Sequence, residues 1–140
     1  MSSSRDPDCI FCKIISREVP AAIIHEDDRT IAFMDAFPSS KGHALVVPKD
    51  HHPNLLTLPT DLLQAAAALA QRIARAQKQA LQPDGIIVSQ FNGEAAGQTV
   101  FHYHVHVVPR WKGQDSAVHG RKQEDLQVLQ EVASQIAAAL

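Results

Sequence analysis

Residues 99–108, Thr-Val-Phe-His-Tyr-His-Val-His-Val-Val, constrain the fold more than any other stretch, because polar and apolar side chains alternate there with a period of two. Such alternation predicts an extended strand, in which positions i, i+2 and i+4 share one face. His102, His104 and His106 then project together, with neighbouring Cβ atoms about 6.5–7 Å apart. Phe101, Tyr103, Val105 and Val107 take the other face, where a helix can cover them. A row of three imidazoles is costly as core filler, since each ring has a donor and an acceptor to satisfy.

Three readings of the row stay open at this level. The rings can be ordinary polar strand residues, or ligands of a metal, since imidazole is the commonest zinc ligand. They can also be catalytic, because at pH 7 one ring can attack while another gives a proton. The run ahead of the strand, Asn92-Gly93-Glu94-Ala95-Ala96-Gly97, is a loop of small residues. Its glycines permit close backbone approach, and glycine-rich turns with available N–H groups cradle phosphates. Gln98 and Thr99 add donors at the strand entrance.

The remaining chain supplies the partners for that strand. A short helical turn is predicted over residues 9–16, and a hairpin at residues 23–34 turns at Asp27-Asp28-Arg29. Residues 43–47 form a strand buried on both faces and stopped by Pro48. Thr60 caps a long helix with Leu62, Leu63, Ala66, Leu69, Ala70 and Ile73 on one side, ending before Pro83-Asp84-Gly85. Residues 86–91 form another strand, and Leu126, Leu129, Val132 and Ile136 mark a C-terminal helix over about 123–139. The prediction is one α+β domain over residues 9–140 with a mainly antiparallel sheet, preceded by a disordered lead-in at 1–8.

Composition excludes several classes. Thirteen basic and fifteen acidic side chains among 140 residues leave a formal charge of −2, with no cluster of Lys and Arg to coat a nucleic acid. No run of 18 apolar residues offers a membrane span. The start, Met1 to Asp8, lacks an apolar signal region, so the expected location is cytoplasmic. In that compartment Cys9 and Cys12, the only cysteines, are metal ligands or free thiols rather than a disulfide. His25 and His119 have no motif around them and read as surface residues. Trp111, the only tryptophan, covers either the site or a subunit interface.

Gly97-Gln98-Thr99-Val100-Phe101-His102-Tyr103-His104-Val105-His106-Val107-Val108 resembles the signature of the histidine-triad (HIT) family. Cys9 to Ile14, Phe33 to Pro38 and Gly42 to His51 resemble its other blocks, in order and at family spacing. The resemblance implies a twisted antiparallel sheet with a long central helix and a C-terminal helix, assembled as a homodimer. It implies a nucleotide site with the base near Ile10, Phe11 and Phe33, and Asp35 accepting hydrogen bonds from the ribose. Asn92, Gln98 and Thr99 would contact phosphate or leaving group. His104 would attack the α-phosphorus, His106 would bind phosphoryl oxygens, and His102 and His43 would complete the catalytic group. No catalytic Mg²⁺ is implied.

The resemblance extends to Cys9-x-x-Cys12, which by itself fits zinc, redox or chance. Members with this pair imply a structural Zn²⁺ held by Cys9, Cys12, His51 and His102, which would remove His102 from proton transfer. The expected activity is hydrolysis or transfer at the α-phosphorus of purine nucleoside phosphoramidates or adenylates, as in the Hint-like branch. The alternatives are a dinucleoside polyphosphate hydrolase of the Fhit-like branch, or a zinc-stabilised dimer that binds nucleotide without turnover.

Overall fold

The computed structural model describes residues 5–114 and 122–140, which leaves His119 outside the described residues. Of the expected lead-in, residues 5–8 are described: the Arg5 guanidinium donates to the Lys49 carbonyl, and the Asp6 N–H to Cys12 Sγ at 3.3 Å.

Among the described residues, five strands and three α-helices follow in the order α1 (Ile10–Ile15), β1 (Ile23–Glu26), β2 (Thr30–Met34), β3 (Ala44–Pro48), α2 (Thr60–Leu81), β4 (Gly85–Ser89), β5 (Val105–Arg110) and α3 (Leu126–Ala138), with a 3₁₀ turn at Glu94–Ala96. The strands form one antiparallel sheet in the order β1-β2-β3-β5-β4. The β1–β2 hairpin is closed by Asp27, whose carboxylate accepts from the N–H groups of Arg29 and Thr30 and from the Thr30 hydroxyl. Among the described residues no helix is long and apolar enough to cross a membrane.

The two faces of the sheet carry different layers, and strand alternation decides which residue goes where. Ala32, Met34, Ala44, Val46, Val105 and Val107 pack against α2 and α3 through Ala66, Leu69, Ile73 and Ile136. Ile31, Phe33, Leu45 and Val47 face the other way, onto Phe11, Ile14 and Ile15 of α1. Because Leu45 pairs with His106 across β3–β5, the histidine side of β5 lies on the α1 face. The larger helical layer buries Tyr103, Val105 and Val107 behind it.

Three expectations are corrected. Strand β5 starts at Val105 rather than Thr99, and residues 100–102 bend. The neighbouring strand β3 ends at Pro48, which has no N–H for a ladder. The histidine segment is instead held by the following loop: the Tyr103 N–H donates to the His52 carbonyl at 2.7 Å. Helix α2 is entered from Pro59, whose carbonyl accepts from Leu62 and Leu63, so Thr60 is the first helical residue and not a side-chain cap. Helix α3 starts at Leu126, with the Asp125 carboxylate accepting from the Gln127 N–H at 2.8 Å.

Candidate active site and metal cluster

The histidine row is divided between two sites. A cavity of about 670 Å³ lies on the α1 face and takes in His104 and His106 together with Ile10, Phe11, Phe33 and Asp35. Thr99 also lines it, and Phe11 meets the His104 ring edge-on with centroids 5.0 Å apart. The fully buried ring of His102 faces away from this cavity, toward Cys9, Cys12 and His51.

Hydrogen bonds fix the protonation pattern of each ring, since a carbonyl only accepts and an amide N–H only donates. His104 Nδ1 lies 2.7 Å from the His102 carbonyl, so it carries the proton and the lone pair resides on Nε2. The Ser39 N–H donates to His43 Nδ1 at 3.1 Å, so the neutral His43 ring carries its proton on Nε2. That nitrogen is 2.9 Å from His106 Nδ1, which accepts and leaves the His106 proton on its own Nε2. The cavity is therefore lined by one ring with a nucleophilic tautomer and a second with a donor tautomer, whose centroids are 4.9 Å apart.

Asp35 sits at the end of β2. One of its oxygens accepts from the Phe37 N–H at 2.8 Å and the other is 3.4 Å from His43 Nε2. Asp35, His43 and His106 could geometrically surround an ion. The amide donor on His43 Nδ1 argues against it, because Nε2 then bears the proton instead of a ligating lone pair.

The other cluster has the opposite character. His102 Nε2 donates to the Pro48 carbonyl at 2.7 Å, turning the Nδ1 lone pair toward Cys9 Sγ at 3.5 Å, Cys12 Sγ at 3.6 Å and His51 Nδ1 at 3.2 Å. Cys12 Sγ and His51 Nδ1 are 3.4 Å apart. Tetrahedral zinc with its usual bond lengths requires about 3.6 Å between sulfur and nitrogen ligands and about 3.3 Å between two nitrogens. The donor set and its spacing fit that ion. His51 Nε2 lies 3.8 Å from Asp6 Oδ2, a carboxylate placed to orient the ring from behind. Burial pushes the His102 pKa down to about 4, so the ring is neutral at pH 7, and burial pushes the Cys12 thiol up. Metal binding would release that thiol proton.

Two residues expected at the phosphate do not line the cavity. Gln98 is buried, its oxygen accepting from the Gly93 N–H and its amide donating to the carbonyls of Pro53 and Val100. Asn92 exchanges hydrogen bonds with Gln90 and accepts from the Leu55 N–H. Both brace the glycine-rich loop. Trp111 donates from its ring N–H to the Gln82 carbonyl at the end of α2.

Other lining residues carried no sequence signal for a site, Leu126 and Leu129 having marked only a helix. Gln123, Glu124, Leu126 and Leu129 close one side of the cavity, so the start of α3 is more than a packing face. The Glu124 N–H holds it there, donating to the Ala36 carbonyl at 2.9 Å. The role of Ser39 rests on a backbone amide, which no residue pattern reports.

The HIT domain profile matches residues 16–113, and the chain belongs to the HIT family. Among solved structures, a Hit-like protein of Bartonella henselae superposes with a TM-score of 0.89 at 42% identity, covering 98% of this chain and 100% of that one. A zinc-bound histidine triad family protein of Mycobacterium smegmatis gives 0.83 at 38% identity, covering 94% and 92%. An adenylylsulfatase of Arabidopsis thaliana is 39% identical over 109 residues, 78% of this chain and 55% of that protein.

Proposed function

We propose that the protein cleaves nucleoside phosphoramidates or adenylates at the α-phosphorus through a nucleotidyl-histidine. The observation that carries this reading is the tautomer of His104, set by the His102 carbonyl, in a cavity shared with the donor His106. In the first step the His104 Nε2 lone pair forms a bond to phosphorus as the bond to the leaving group breaks, and the leaving group departs with a proton taken from solvent. His106 Nε2–H hydrogen-bonds a non-bridging oxygen, whose charge grows in the transition state. In the second step water displaces His104 from phosphorus and gives a proton back to solvent, releasing the nucleoside monophosphate and restoring the neutral ring.

Apolar walls from Ile10, Phe11 and Phe33 suit a flat base, Asp35 suits the ribose hydroxyls, and Thr99 suits a phosphate or leaving-group contact. The sulfate mixed anhydride named for the Arabidopsis relative is an adenylate of this chemical class. Cys9, Cys12, His51 and His102 would hold zinc as a closed structural site, supported by the spacing above and by the zinc-bound relative. Such an ion supplies no catalytic ligand position, and it would fix Ile10 and Phe11 between its two cysteines. A reducing cytoplasm keeps those thiols available for it. A second copy would pair along β4, which bonds only to β5 among the described residues and exposes Ile87 and Val88. The test is turnover of adenosine 5′-phosphoramidate by the native chain and by His104→Asn. AMP release confined to the native chain supports the assignment, whereas equal rates would remove His104 as nucleophile.

A further inference from the structure

Gln77, near the C-terminal end of α2, is fully buried where an apolar side chain would pack without penalty. Its side-chain amide donates at 2.9 Å to the Gly42 carbonyl and at 2.9 Å to the Val107 carbonyl. Its own oxygen is buried and has no hydrogen-bond partner among the described residues. A buried acceptor left unpaired costs stability, so an amide is a poor choice here for packing alone. The two carbonyls it ties belong to the residues directly next to His43 and His106. Ala44 and Val107 face each other in the β3–β5 ladder, so Gln77 bridges the sheet where the His43–His106 hydrogen bond spans it on the opposite face.

We propose that Gln77 is a positioning residue: one amide, bridging two backbone carbonyls from the α2 side, sets the distance between His43 and His106 and thereby the donor tautomer of His106. The inference rests on the proposed reaction for its kinetic consequence, but not for its structural one. Gly42 reinforces the arrangement. Its φ of +87° and its approach to Leu81 of α2 fix the backbone immediately before His43.

The test compares native protein with Gln77→Met, which keeps length and removes both donors, and Gln77→Glu, whose buried neutral carboxyl can donate to one carbonyl. The first readout is the downfield ring N–H proton resonance of the His43–His106 hydrogen bond, recorded without substrate. In Gln77→Met this resonance, recorded well below the thermal midpoint, should shift or be lost to exchange, and the midpoint itself should fall because two buried carbonyls lose their donor. In steady state, kcat for adenosine 5′-phosphoramidate should fall roughly tenfold with KM little changed, as expected for a small misplacement of a reacting group. Gln77→Glu should fall between the two, and it carries the comparison if Gln77→Met does not fold. A native-like resonance and native kcat in the variants, with only the midpoint lowered, would make Gln77 a packing residue and overturn the proposal. If the native protein shows no turnover, the proposed function fails while the resonance still decides the role of Gln77.

Discussion

The carbonyl of His102 holds the ring of His104, 2.7 Å from Nδ1, while the His102 ring itself belongs to the cysteine cluster. One residue thus connects the two sites through its backbone on one side and its side chain on the other. Disturbing the cluster is therefore expected to reach His104, the proposed nucleophile. Protein prepared without chelator should contain about one zinc per chain by elemental analysis, and His51→Ala should contain well under a tenth of that. The same variant should unfold several degrees earlier, because metal binding energy is folding energy. It should also lose more in kcat than a distant surface change does.

The pH dependence of the metal-free protein follows from His102. Its pKa is about 4 in the folded state and about 6.5 when unfolded, so between these values the unfolded chain binds the extra proton. Stability should be fully present above about pH 6.5 and fall as the pH drops toward 4, by on the order of 3 kcal/mol. Urea midpoints measured with chelator at pH 7, 5.5 and 4 check this. His102→Asn should flatten that part of the profile.

Asp35 is predicted to act on affinity more than on chemistry. Asp35→Ala should raise KM for a ribonucleotide substrate by roughly tenfold to a hundredfold, the loss of about 1–3 kcal/mol of charged hydrogen bonding. The corresponding 2′,3′-dideoxy substrate should be affected much less. A similar loss for both sugars would separate Asp35 from the ribose and leave it as the acceptor of the Phe37 N–H.

Gly42→Ala is expected to destabilise by about 1–3 kcal/mol, since the backbone there is left-handed and a methyl group would press on Leu81 and Pro109. Chemical denaturation gives the stability, and kcat measured at low temperature, where the variant is folded, reports how far His43 has moved.

Residue patterning was enough to locate the strands, apart from the start of β5, together with the long helix and the sidedness of the histidine segment. Period-two alternation survives even where the ladder does not: Tyr103 is in the α2 core and His104 on the cavity, although β5 begins only at Val105. A resemblance at four blocks named residues that the folded chain brings together, including Cys9, Cys12, His51 and His102 from three separate segments. The folded chain alone shows how His102 leaves the row and which tautomer each ring adopts. Pro48 ends β3 without a donor, so His102 turns out of the row, and carbonyls or amides from Pro48, His102 and Ser39 place each proton. The closure of the cavity by Glu124 and the bridging by Gln77 are likewise tertiary. Side-chain patterning reports which face a residue prefers, because burial acts on side chains. The groups that fix the imidazole tautomers are backbone atoms, identical at almost every position, and only the folded path of the chain selects among them.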